Sequence, residues 1–152
     1  MKYGPPGGTR RRERGSTLVE FALSFALLFA VFTGVFRFGY VYYLYNRLES
    51  SVRGGARYAS LRVYDSATAT PSGGYQAAVQ NMAVYGNPDG AGQPAAPGLT
   101  TEKISVTIGM ERNVPRQVTL EVTDLRIDAV FASFTLNGKP KITFPYMGRF
   151  AP

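Results

Sequence analysis

From Leu18 to Phe36 the chain reads LVEFALSFALLFAVFTGVF, nineteen residues in which Glu20 is the only charge. At a helical rise of about 1.5 Å per residue this run is close to one bilayer core in length, so a membrane-spanning helix is the first constraint on the fold. A carboxylate inside such a run costs a few kcal/mol even on lenient insertion scales and is kept for a partner or a pathway. The flanks set the direction. Arg10, Arg11, Arg12 and Arg14 precede the run, and Tyr40, Tyr42, Tyr43 and Tyr45 follow it at interface depth. Basic residues stay on the cytoplasmic side and tyrosines collect at the interface, which places the N-terminus inside and the bulk of the chain outside. Arg37 can snorkel to the same outer interface.

The net charge of +7 has two unequal parts. Residues 1 to 15 hold Lys2 and the four arginines against Glu13, a balance of +4, leaving +3 for the other 137 residues. Membrane topology accounts for a basic cluster abutting an apolar run, and no basic stripe with interleaved base-stacking aromatics follows, so nucleic acid is not an expected partner. The chain has neither Cys nor His. That removes thiol nucleophiles, imidazole bases and the usual zinc and haem ligands, and leaves any catalysis to Asp, Glu, Lys, Tyr or Ser. No catalytic constellation is visible, and no cofactor or metal is expected. GPPGG lacks the Gly-Lys-Ser/Thr ending of a phosphate loop, and GNPDG is a turn before it is a calcium loop.

Beyond the apolar run the helical period continues. Leu48, Val52, Ala56, Ala59 and Val63 recur every three or four residues, with Glu49, Arg53, Arg57 and Arg62 on other faces. The pattern predicts a helix of up to about 45 residues over 16–64, spanning the membrane at about 18–36 and amphipathic over about 46–64. Gly54 and Gly55 are the expected place for it to bend or break. Residues 65–101 are connector-like except for a short helix over 75–85, whose apolar face is Ala78, Val79, Met82 and Tyr85 and which Gly86 stops. The period then becomes two. Ile104, Val106 and Ile108, then Val118, Leu120 and Val122, then Ile142, Phe144 and Tyr146 predict three strands, with Pro115 and Pro145 at strand starts or edges. DLRIDAVFASFTLNGK is open between a short helix and a long connection. If helical, it would bring Asp124 and Asp128 to one face, where solvated surface is favoured over acid/base work. The fold class is therefore α+β, a long helix whose second half packs on a small antiparallel sheet of about three strands within an outer domain of 65–152.

The stretch RERGSTLVEF places Gly15 at the end of the basic region and Glu20 five residues later, followed by an aromatic. This resembles the prepilin-peptidase site of the type IV pilin superfamily, with a pilin-like fold. The resemblance implies a cytoplasmic leader of residues 1–15, cleavage between Gly15 and Ser16, and Glu20 as the fifth residue of the mature chain, next to Phe21. The longer stretch RRERGSTLVEFALSFALLFAVFTGVFRFGYVYYLYNRLESSVRGGARYAS resembles TadE-like proteins of the tight-adherence (Flp) pilus system, and GARYA and AVYGNP also fit that family. Short major Flp pilins carry Glu-Tyr where this chain has Glu20-Phe21, and lack the roughly 90 residues beyond the helix. That favours a minor pilin or pseudopilin. The implied partners are a prepilin peptidase, other pilin or pseudopilin subunits, the inner-membrane assembly platform and the lipid bilayer. Ala22, Ala26, Ala30 and Gly34, each four residues from the next, form a small-residue stripe that lets helices approach closely. The competing expectation is an uncleaved single-pass protein with an outer binding or scaffold domain. A conventional secretory signal fits poorly, because the run is long and FTGVFRFG is too bulky for its cleavage site.

Overall fold

The computed structural model describes residues 10–128 and 133–152, with side chains from Gly15 onward. Lys2, the GPPGG stretch and the centre of the DLRIDAVFASFTLNGK segment lie outside the described residues. Helix α1 runs without a break from Arg10 to Leu61. The described chain divides into two units, one ending at Gly39 and one from Tyr40 to Pro152.

In the second unit α1 contributes Leu48, Val52, Ala56 and Ala59 to the core, all fully buried. Burial of each leucine or valine side chain is worth about 1.5–3 kcal/mol, which makes this face the main attachment of the helix to the rest of the unit. Two expectations need correction here. Gly54 and Gly55 do not break the helix, which runs on through both of them to Leu61. Gly55 is instead a contact point, where an added Cβ would lie 2.6 Å from the Ala83 Cβ of the next helix and 3.0 Å from Leu120 Cδ2. Val63 is also not in the core, being 47% exposed, because α1 ends at Leu61 and the extended chain beyond it buries Tyr64 instead.

The end of α1 is closed by other parts of the molecule. The last-turn carbonyls of a helix have no partner within it. Tyr58 O accepts from Arg62 N at 3.0 Å and Ser60 O accepts from Met147 N at 2.9 Å. Ala59 O accepts from the Tyr75 hydroxyl at 2.6 Å. The C-terminal tail continues this closure, with Tyr64 N donating to Arg149 O and Ala151 N donating to Tyr64 O, both at 2.9 Å.

Helix α2, Gly73–Tyr85, starts two residues before the expected position because Ser72 caps it, its Oγ accepting from Tyr75 N at 3.2 Å. It stops at Gly86, whose φ of 70° is the left-handed conformation that glycine adopts without strain. Its buried side chains are Tyr75, Ala78, Val79, Ala83 and Val84. Met82 and Tyr85 are only partly buried, a face rotated from the expected one because α2 meets α1 through Ala83.

Strands β1 (Ile104–Glu111), β2 (Val114–Val122) and β5 (Lys141–Pro145) form an antiparallel sheet in the order β1-β2-β5. The β1–β2 turn is two residues, Arg112 and Asn113, both at positive φ. Val118, Leu120 and Val122 of the central strand are buried, whereas Phe144 and Ile142 of the edge strand are half-buried. The segment left open between helix and connection is neither. It holds β3 (Leu125–Asp128) and β4 (Ser133–Leu136), a separate two-stranded antiparallel ribbon. Leu125 pairs with Leu136 and Ile127 with Phe134, giving the ribbon one apolar face.

Candidate functional site: the N-terminal helix

Every residue expected to carry function lies on the first part of α1. Gly15, Ser16, Glu20, Phe21, Ala22, Ala26 and Ala30 are exposed and Gly34 is half-exposed. The apolar side chains around them are equally uncovered, with Leu23 69% and Phe36 76% exposed, and none of the apolar window is buried. An uncovered patch of this size is far beyond what a monomer presents to water, so lipid or neighbouring helices must cover it. By length and composition this is the one helix among the described residues that can cross a membrane.

Helical geometry sorts the side chains. Each residue advances about 100°, so a step of four returns within about 40° of its start. Ser16, Glu20 and Ser24 therefore form a short polar line at the beginning of an otherwise apolar cylinder. Ser24 has no place in the pilin-site pattern, but its spacing of four from Glu20 makes it legible. Among the described residues Glu20 has no ion-pair partner. One position along, Phe21, Phe25 and Phe29 stack as a ladder with ring centroids 6.1 and 6.3 Å apart. The small stripe runs beside this ladder and winds by about 120° from Ala22 to Gly34, following a row of i, i+4 neighbours. Such a stripe suits close helix pairs that cross right-handed at about −40°. The site thus pairs bulk and gap side by side on one helix.

Above the apolar run, Tyr40, Tyr42 and Tyr43 are 42%, 62% and 54% exposed. Arg47 lies over the Tyr43 ring, 6.0 Å from its centroid. The remaining sequence candidates are not assembled into a site. Asp124 sits in a turn at φ 51°, and Asp128 pairs with Arg126 at 2.9 Å on β3, so no helix face unites the two aspartates. GNPDG is a turn, Asp89 N donating to the Asn87 side chain at 3.0 Å and Gly90 N to Asn87 O at 3.1 Å. Among the described residues no three acidic, His or Cys side chains gather as metal ligands.

The aromatic cluster at the end of α1 was not legible as a unit. Tyr64 meets Tyr75 edge-on at 5.2 Å and Tyr146 at 6.3 Å. The Tyr64 hydroxyl donates to Thr68 O at 2.6 Å, and the Tyr146 hydroxyl donates to Arg62 O at 2.8 Å while accepting from Tyr64 N at 2.9 Å. Burial pushes the acidity of all three hydroxyls down, their pKa values lying above the ordinary tyrosine value, with the neighbouring tyrosines adding to the effect at Tyr75. Neutral hydroxyls bound to backbone carbonyls are structural clamps.

Residues 15–57 match the family model of TadE-like proteins. No curated protein and no solved structure matches the chain. The matched residues contain the polar line, the phenylalanine ladder, the small stripe and most of the amphipathic half of α1.

Proposed function

We propose that the chain, whose residues 15–57 match the family model of TadE-like proteins, is a structural minor pilin or pseudopilin of a Tad-type pilus, acting in pilus assembly and surface adhesion. The observation that carries the reading is Glu20, a lone carboxylate on an uncovered apolar helix five residues after Gly15. In this reading a prepilin peptidase removes residues 1–15 on the cytoplasmic side of the inner membrane. The new ammonium on Ser16 of an arriving subunit then pairs with Glu20 of a neighbour. A buried pair of that kind offsets the cost that either charge alone would carry in an apolar filament core. The phenylalanine ladder of one helix fills the alanine and glycine stripe of the next. Before assembly the same helix anchors the protein in the bilayer, with the Tyr40–Pro152 unit outside.

Two substitutions test these steps separately. With Gly15→Leu the protein should remain full length in membranes of cells that contain a prepilin peptidase; correctly shortened protein from that variant would remove the processing step. Glu20→Ala should still be shortened but should be depleted from sheared pilus fractions, and normal incorporation would show that the charge pairing is wrong.

A further inference from the structure

The three-stranded sheet ends on β5, and no strand among the described residues pairs with its outer edge. Tyr146 N donates to Arg116 O at 2.8 Å and Val122 N donates to Pro140 O at 3.2 Å, so the even-numbered residues from 140 to 146 turn their backbone groups toward β2. Antiparallel pairing alternates, which leaves the N–H and C=O of Lys141 and Thr143 and the C=O of Pro145 facing outward. The side chains that could cover this edge are held elsewhere. Lys141 Nζ reaches Glu121 at 3.2 Å and Thr143 Oγ1 bonds to Thr119 Oγ1 at 2.9 Å, both across the sheet toward β2. At the opposite edge, the outward carbonyl of Ile104 on β1 accepts from Gln80 Nε2 of α2 at 2.8 Å. Free edges template pairing with another chain and are blunted unless they serve it.

Beside the open edge lies a groove of about 700 Å³ between β5 and α1. Half-buried Phe144 forms its strand side. On the helix side Asn46, Ser50 and Gly54, spaced by four, make a line of short side chains, and an added Cβ at Gly54 meets nothing within 4 Å. Next to that line run Glu49, Arg53 and Arg57. Glu49 is taken by Arg53 at 2.6 Å, whereas Arg57 is exposed and in no ion pair among the described residues. These three side chains therefore leave one positive charge uncompensated. All of these residues belong to the unit from Tyr40 to Pro152, so neither the placement nor the processing of the N-terminal part of α1 enters.

Side chains of a strand alternate between its two faces. A strand added to β5 would meet the backbone of Lys141 and Thr143 and hang every second side chain over α1, in this groove. We infer that the β5 edge and the groove form a strand-acceptor site for an extended segment of another protein, one with apolar or small side chains at alternate positions and a carboxylate that pairs with Arg57. A second copy fits less well. Its own β5 edge, KITFP, brings no carboxylate to Arg57, and its β1 edge is capped by Gln80.

The probes are short, end-blocked fluorescent peptides of alternating Val and Thr in which one Val is replaced by Asp or by Lys. Their binding to full-length protein in detergent is read by fluorescence anisotropy. The Asp peptide should bind roughly fivefold or more tightly than the Lys peptide, and Arg57→Ala should make the two equal. Methylating the peptide's backbone amides should abolish binding to the unaltered protein. Thr143→Pro, which removes an outward N–H and none that faces β2, should do the same from the other side. Failure of every peptide to bind at millimolar concentration would overturn the inference, as would binding that survives both amide methylation and Thr143→Pro. Equal affinity of the Asp and Lys peptides for the parent protein would remove Arg57 and with it the acidic partner. Self-association that Thr143→Pro dissolves, measured by light scattering, would overturn the inference in favour of a second copy.

Discussion

Gly54 and Gly55 are neighbours in sequence with opposite surroundings. An added Cβ at Gly54 meets nothing within 4 Å, whereas at Gly55 it would press on Ala83 and Leu120. Gly54→Ala should therefore raise stability by about 0.5–1 kcal/mol through helix propensity alone. Gly55→Ala should lower it by about 1–3 kcal/mol, the range for overpacking a tight contact. Thermal unfolding of the two variants in detergent checks this directly, with melting temperatures expected to move in opposite directions from the parent. Sequence marked the pair and misread its consequence, because what decides between a hinge and a contact is the arrival of Ala83 from a helix some thirty residues away. Glu20 is the reverse case. Its oddity lies in its immediate neighbours, Leu18, Val19 and Phe21, and needs no distant partner to be seen.

At the scale of elements, local signals were read where they closed locally. Ser72 and Gly86 cap α2 through their own backbone surroundings, and the alternation in β1, β2 and β5 follows burial against α1 and α2. The β3–β4 ribbon was missed because each strand has only four residues and two apolar side chains, too few to establish a period without their cross-strand partners. Val63 was placed in the core by extending the helical period past Leu61, but the helix ends there because Tyr75 and the tail take its last carbonyls. That junction is sensitive to base. Burial holds the Tyr75 proton above the ordinary tyrosine range, so the folded state keeps a proton that the unfolded state releases above about pH 10. The stabilisation is present in full below about pH 10 and drains away as pH rises further. Tyr75→Phe should cost about 1–3 kcal/mol at neutral pH by leaving Ala59 O unpaired. It should also flatten the alkaline limb of the stability profile. Denaturant titrations at pH 8 and pH 11 measure both effects, and an unchanged alkaline slope would assign that limb to other groups.

For the whole molecule, the division at Gly39 and Tyr40 separates two kinds of surface. From Leu18 to Phe36 the helix is apolar apart from Glu20 and uncovered, while from Tyr40 onward the second unit has a closed core. The outline of that arrangement was legible from hydropathy and charge alone, since the apolar run, its basic flank and the change of period all appear in order. The stripe and ladder on α1 predict an assembly effect independent of charge. Ala26→Leu, on an exposed face with no internal neighbour to disturb, should leave folding of the second unit unchanged and reduce recovery in sheared filaments; unchanged recovery would take the stripe out of the packing interface.

The central claim is that Gly15 and Ser16 mark a processing junction that frees Ser16 to meet Glu20 of another subunit. Intact mass and N-terminal sequencing of the protein extracted from membranes of cells with a prepilin peptidase test it most directly. The account predicts a chain beginning Ser16-Thr17-Leu18. A chain beginning at Met1 would contradict it and leave Glu20 as part of an uncleaved single-pass anchor.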